Sequence, residues 1–258
     1  MRFVLPLLLC LIAAPAWAES AKATYGLYTG GVKMIDVTSD VDIGSQSYTM
    51  KTVGATTGIF KTLLPWTGTF DTTGEGNFLP TKHTYAVAWR GDSETLTFNY
   101  EKPGVLKSVT KTKEDGTVED ATPEADISDG TRDLLSALGM MMKRYADTGK
   151  CAGDTLVFDG KRSLTVQIAD AGDTTMNNAE LSVYQGPAHG CAVKIIQGKG
   201  KWPKKPRGWM RIQQMGEKDG KLPIIWLAKP INSGPVMPVR IDIHTKYGDV
   251  IAHLTSVQ

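Results

Sequence analysis

The sequence predicts a mainly β domain with one principal α-helix, at about residues 131–147. Three observations carry that expectation. Short runs of alternating apolar and polar residues recur along the chain, separated by turn signals. The composition supplies those turns, with 27 glycines and 13 prolines among 258 residues. Over TRDLLSALGMMMKRYADTGK the alternation gives way to a helical period. At 41% hydrophobic and 8% aromatic residues, the chain has enough apolar material for a sizeable core.

The first eighteen residues, MRFVLPLLLCLIAAPAWA, have the layout of a secretory leader. Arg2 supplies the positive start, Phe3 to Ala14 the apolar run, and Ala16-Trp17-Ala18 the small-x-small cleavage site. The run is shorter than the roughly 20 residues a membrane-spanning helix needs. No second run of that length follows, so no transmembrane segment is expected in the mature chain. Leu9 stands before Cys10 where lipidation wants a small residue, so no lipid anchor is expected. Cleavage after Ala18 leaves residues 19–258, a single β-rich domain with no Pro/Ser-rich linker, expected in the periplasm.

TYGLYTGGVKMIDVTSDVDI predicts a hairpin turned at Gly30-Gly31, and QSYTMKTVGA a strand with Tyr48, Met50 and Thr52 on one face. TKHTYAVAWRGDSETLTFNYEKPGVLKSVTKTK adds three strands, with turns near Gly91-Asp92 and Pro103-Gly104. Between them GIFKTLLPW does not alternate. Its Ile59, Phe60, Leu63, Leu64 and Trp66 suit a short helix or loop plugging one end of the sheet, or an apolar lip on a ligand cavity. The plug is the commoner use of such a cluster.

Residues 113–130 predict a polar loop with a turn at Asp115-Gly116. In the helix that follows, positions 134, 135, 138, 141, 142 and 145 share a face, with Thr131 as N-cap, Asp133 in the first turn and Gly149 as C-cap. The methionines 140–142 straddle two faces and suit core packing rather than metal binding. Next comes FDGKR, an acid, a glycine and two bases that suggest either an active site or a turn. Flanked by TLVF and SLTVQI, Asp159-Gly160 predicts a two-residue type I′ hairpin turn, with Lys161 and Arg162 just past it. ELSVYQG and HGCAVKIIQG are expected strands, and PIIWLAK, VMPVRIDIHT and DVIAHLTSV close the chain as three more.

Chemistry is sparse. Cys151 and Cys191, the pair left after the leader, predict one disulfide in an exported protein. A metal site with His189 has no second motif of structural-zinc spacing. There is no nucleophile elbow, HExxH, Walker loop or dinucleotide fingerprint, and His83, His189, His244 and His253 are scattered. No catalytic residue, cofactor or metal is expected. GKGKWPKKPRGWMR stands out, with Lys199, Lys201, Lys204, Lys205, Arg207 and Arg211, no acid, and Trp202 and Trp209 interleaved. Pro203 and Pro206 predict an extended course. The formal charge is +2, and without Arg2 and these six cations it is −5. Such a patch attracts lipid phosphates, anionic glycans or an acidic protein face, and its tryptophans suit a membrane interface or sugar stacking. A solvated hairpin tip accounts for it equally. Export argues against nucleic acid.

The stretches YGLYTGGVK, TTGIF, DLLSAL, VFDGKR, YQGPAHGC, IIWLAK and PVRIDIHTKYGDVIAHL together resemble an exported bacterial family catalogued as domain of unknown function 3108. The resemblance spans nearly the whole mature chain. It implies a strongly curved antiparallel sheet or incomplete β-barrel wrapping the helix, similar to periplasmic lipoprotein carriers and β-spiral envelope proteins, with room for an acyl chain. It carries over no activity and no catalytic residue. The expected function is non-enzymatic: binding an amphipathic envelope component or supporting envelope integrity. A periplasmic protein-interaction module is the alternative, and a cell-wall or glycan hydrolase a third.

Overall fold

The computed structural model describes residues 19–177, 180–206, 208–246 and 248–258; the expected leader, Arg207 and Tyr247 lie outside the described residues. The first arm of the protein runs β1 (Glu19–Thr29), β2 (Val32–Ile43), β3 (Ser47–Thr56), α1 (Ile59–Leu63), β4 (Trp66–Glu75), β5 (Leu79–Trp89), β6 (Asp92–Lys102), β7 (Val105–Lys113) and β8 (Val118–Asp120). Two helices follow, α2 (Ala125–Ser128) and α3 (Leu134–Thr148). The second arm is β9 (Gly153–Phe158), β10 (Arg162–Met176), β11 (Gly186–Gly200), α4 (Trp209–Lys218), β12 (Ile224–Ala228), β13 (Met237–Thr245) and β14 (Gly248–Val257).

All fourteen strands join one antiparallel sheet, ordered β8 to β1 and then β14 to β9. The chain meanders outward from β1, crosses through α3 to the opposite edge, and meanders back until β14 pairs with β1. The sheet does not close, since β8 and β9 are its two ends. It is strongly curved, because the ring of Phe98 on β6 meets Phe158 on β9 at 5.9 Å in a cluster with Leu96 and Val109. Lys161, in the β9–β10 turn, reaches Glu94 on β6 at 3.6 Å.

Helix α3 lies in this concavity and touches both arms. A cap network fixes its start. Asp133 is the N-cap and accepts from the Leu135 and Ser136 N–H groups at 2.9 and 3.1 Å and from the Ser136 hydroxyl. It also accepts from Thr72 on β4 at 2.9 Å, and Ser136 bonds Tyr48 on β3 at 2.6 Å. The expected cap, Thr131, instead donates to the Ser128 carbonyl and secures the end of α2. The C-cap is Gly149 as expected, with φ of 70°.

Several other expectations change. The loop 113–130 contains β8 and α2. ELSVYQG is a connection rather than a strand, with its Val183 N–H donated to the Leu254 carbonyl. The Asp159-Gly160 hairpin forms, yet Asp159 lacks positive φ and the Asp159 N–H bonds the Arg162 carbonyl across a longer connection. There the Asp159 carboxylate accepts from the Lys161 and Arg162 N–H groups at 3.0 Å each, so side-chain capping does the work assigned to a type I′ turn.

Candidate functional site

An apolar groove of about 570 Å³ opens between α3 and the second arm. Its floor is built by strand alternation. Leu164, Val166 and Ile168 on β10 share a face. Val166 lies opposite Ile195 and Ile168 opposite Val193 on β11, and Ile225 on β12 extends the surface. Ala137, Leu138 and Met141 of α3 form one wall. The other wall is Trp202, Trp209 and Met210, from the β11–β12 connection.

Polar groups are confined to the rim and to one point inside. At the rim, Arg162 Nε bonds Asp159 at 2.7 Å and its guanidinium lies over the Trp202 ring, 4.3 Å from the centroid. FDGKR is therefore a turn whose ends also edge the groove. Trp209 Nε1 is shielded from solvent with no hydrogen-bond partner among the described residues, a costly state for a buried donor.

The structure splits the basic Trp/Pro stretch. Its two tryptophans are groove wall, whereas Lys201, Lys204 and Lys205 are exposed and make no ion pair among the described residues. Lys199 bonds Asp126 at 3.1 Å. Trp209 and Arg211 belong to α4, so the extended course ends at Gly208. Because Trp202 and Gly208 both line the groove, Lys204 and Lys205 ride on a short loop anchored at both ends in its wall. GIFKTLLPW lies elsewhere. It is α1 and its flank in the β3–β4 connection, with Ile59 and Leu63 64% and 59% exposed, so it plugs no core. Trp66 covers the Cα atoms of Gly54 and Gly68, and Ile59, Phe60, Leu63, Leu64 and Trp66 are all absent from the groove lining.

Cys151 and Cys191 form the expected disulfide, Cα–Cα 6.0 Å, tying the chain just past α3 to β11. Beside it His189 is held between two carboxylates, Nδ1 to Asp173 at 2.7 Å and Nε2 to Asp170 at 2.8 Å, and stacks on Tyr145. Burial opposes the imidazolium here, but the hydrogen bonds its ring donates to Asp170 and Asp173 outweigh it, and the pKa is raised. Cys151, Asp170 and His189 come close enough to suggest a metal, but the sulfur is committed to the disulfide and both imidazole nitrogens to carboxylates. His244 is likewise bracketed, by Asp249 at 2.7 Å and Asp219 at 3.3 Å. His83 is buried; its Nδ1 pairs with Thr72, which donates to Asp133, and burial lowers its pKa. That chain of contacts anchors α3 and lies away from the groove.

Comparison with known proteins adds a family and a distant likeness. No curated protein matches the chain. A solved structure, the β-barrel-like protein of domain of unknown function DUF1849 from Brucella abortus, is similar at 9% identity with a TM-score of 0.48, covering 94% of this chain and 98% of that one. The profile of DUF3108, a protein family of unknown function, matches residues 22–255, and with nearly the whole described sheet inside that match the chain belongs to this family.

Proposed function

We propose that this protein is a non-catalytic, exported binding protein of the cell envelope. It holds the acyl chain of an anionic amphiphile in the groove between α3 and β10–β12. The observation that carries this reading is the groove itself: about 570 Å³, within the usual size of ligand sites, lined by aliphatic side chains and two tryptophans. Magnitudes decide which part matters most. Each buried CH₂ contributes roughly 0.8 kcal/mol, whereas an exposed, salt-screened lysine contact is worth about 0–1 kcal/mol. The groove therefore supplies affinity, and Lys204 and Lys205 supply preference for an anionic headgroup.

Titration of intrinsic tryptophan fluorescence with lysophosphatidylglycerol and lysophosphatidylcholine, both below micelle formation, tests this. Saturable one-to-one binding is expected, weakened about tenfold by Val166→Phe, which fills the floor by a side-chain's volume. The double change Lys204→Ser, Lys205→Ser should narrow the preference for the anionic lipid and leave the neutral one alone. Absence of saturable binding, or indifference to Val166→Phe, contradicts the reading.

A further inference from the structure

A second opening lies on the opposite face of the same strands. Successive residues of a strand point to opposite faces; Ile225 lines the apolar groove and Trp226 a polar pocket of about 260 Å³. Trp226, Arg240 and His253 face one another in a row across β12, β13 and β14. Thr174 and Asn177, at the end of β10 and just beyond it, wall the pocket on the other side.

The hydrogen-bond accounting in this pocket is unbalanced. Asp242 Oδ1 accepts from Arg240 Nε at 2.6 Å and Oδ2 accepts from Trp226 Nε1 at 2.7 Å. The two terminal nitrogens of Arg240 have no protein acceptor among the described residues. His253 is only 2% exposed, yet its ring makes no hydrogen bond among the described residues, only an edge contact with Tyr28 at 5.8 Å. Buried imidazoles ordinarily find partners. The uncommitted groups are mainly donors: a guanidinium fork, an imidazole N–H and a threonine hydroxyl. That set matches an oxyanion.

We infer that this pocket binds the oxyanion, carboxylate or phosphate, of a small polar molecule, between Arg240 and His253. The site is independent of the apolar groove, so either reading can fail without the other. Burial and the charge of Arg240 hold the free imidazole below its usual pKa, with Asp242 opposing. An anion seated between Arg240 and His253 offsets the charge of Arg240 and makes His253 easier to protonate.

The test is an NMR pH titration of the four histidines in the histidine-labelled protein, with and without inorganic phosphate or acetate. The expected result is that His253 binds its proton about tenfold more tightly at saturating anion, while His189 stays unchanged. Arg240→Gln should abolish the response. Since that change also removes a partner of Asp242, Thr174→Val at the pocket wall serves as a second variant and should weaken anion binding several-fold with the fold intact. A response to only one of the two anions supports the site and names its ligand group. No response of His253 to either anion at tens of millimolar, or an equal response in Arg240→Gln, overturns the inference.

Discussion

Gly139 and Phe78 show how single residues position α3. Phe78 turns the β4–β5 connection with φ of 55°, a conformation unusual for a bulky side chain, and is 3% exposed. Its ring lies where a side chain on Gly139 would sit, since a Cβ there would be 2.2 Å from Phe78 Cε1. Alanine for glycine inside a helix ordinarily stabilises by about 1 kcal/mol. Overpacking of a core costs about 1–3 kcal/mol. The clash wins, so Gly139→Ala is expected to lower stability by roughly 1 kcal/mol or more in urea denaturation. A gain would mean that the ring moves aside freely.

His189 makes a prediction with a definite sign. Its folded-state pKa is raised above the ordinary 6.5. The stability it contributes is therefore fully present below about pH 6.5 and is lost as pH rises through the folded-state value. The stability difference between the protein and His189→Gln should be largest in acid and shrink above neutrality, as denaturation across pH 5 to 9 would read. His83, whose pKa burial lowers, acts oppositely and weakens the fold as pH falls below its unfolded value. These partners were not legible in the sequence. Asp173 lies opposite His189, and Asp170 opposite Cys191, only through the β10–β11 register, which includes an irregularity between Asp170 and Asp173. Similarly, Thr131 and Asp133 both offer an N-cap side chain, and the bond from Thr72 on β4 adds to the capping bonds that Asp133 makes.

At the scale of elements, the strands with one buried face were legible because alternation survives in their side chains. β4 left little such signal. Its WTGTFDTTGE has few large apolar residues, and its place comes from ladders to β3 and β5 on either side. α4 was hidden by the prolines just ahead of it, which describe the 201–206 segment well and say nothing of residues beyond Gly208. ELSVYQG has the alternation of a strand, but beside one bond from Val183 to β14 its hydrogen bonds are local, with the Tyr184 N–H donated to Ser182 and the Tyr184 hydroxyl to the Pro187 carbonyl. The disulfide was legible from the two cysteines left beyond the expected leader. Its removal in a Cys151→Ala, Cys191→Ala variant is expected to cost about 2–4 kcal/mol in thermal or urea unfolding. A negligible loss would show that α3 and the sheet hold the chain without it.

The whole molecule explains why β-richness could be anticipated and the site could not. The groove combines α3, three strands and a long connection, brought together by a sheet that pairs β14 with β1 and curls β9 toward β6. The basic stretch drew attention through its lysines, whereas the groove uses its tryptophans. The central claim is that this groove carries an amphiphile. The most direct test is native mass spectrometry of the protein purified without detergent, followed by lipid analysis of whatever is released. The account predicts a stoichiometric anionic amphiphile that is lost in Val166→Phe. A clean unliganded mass in both proteins would contradict it.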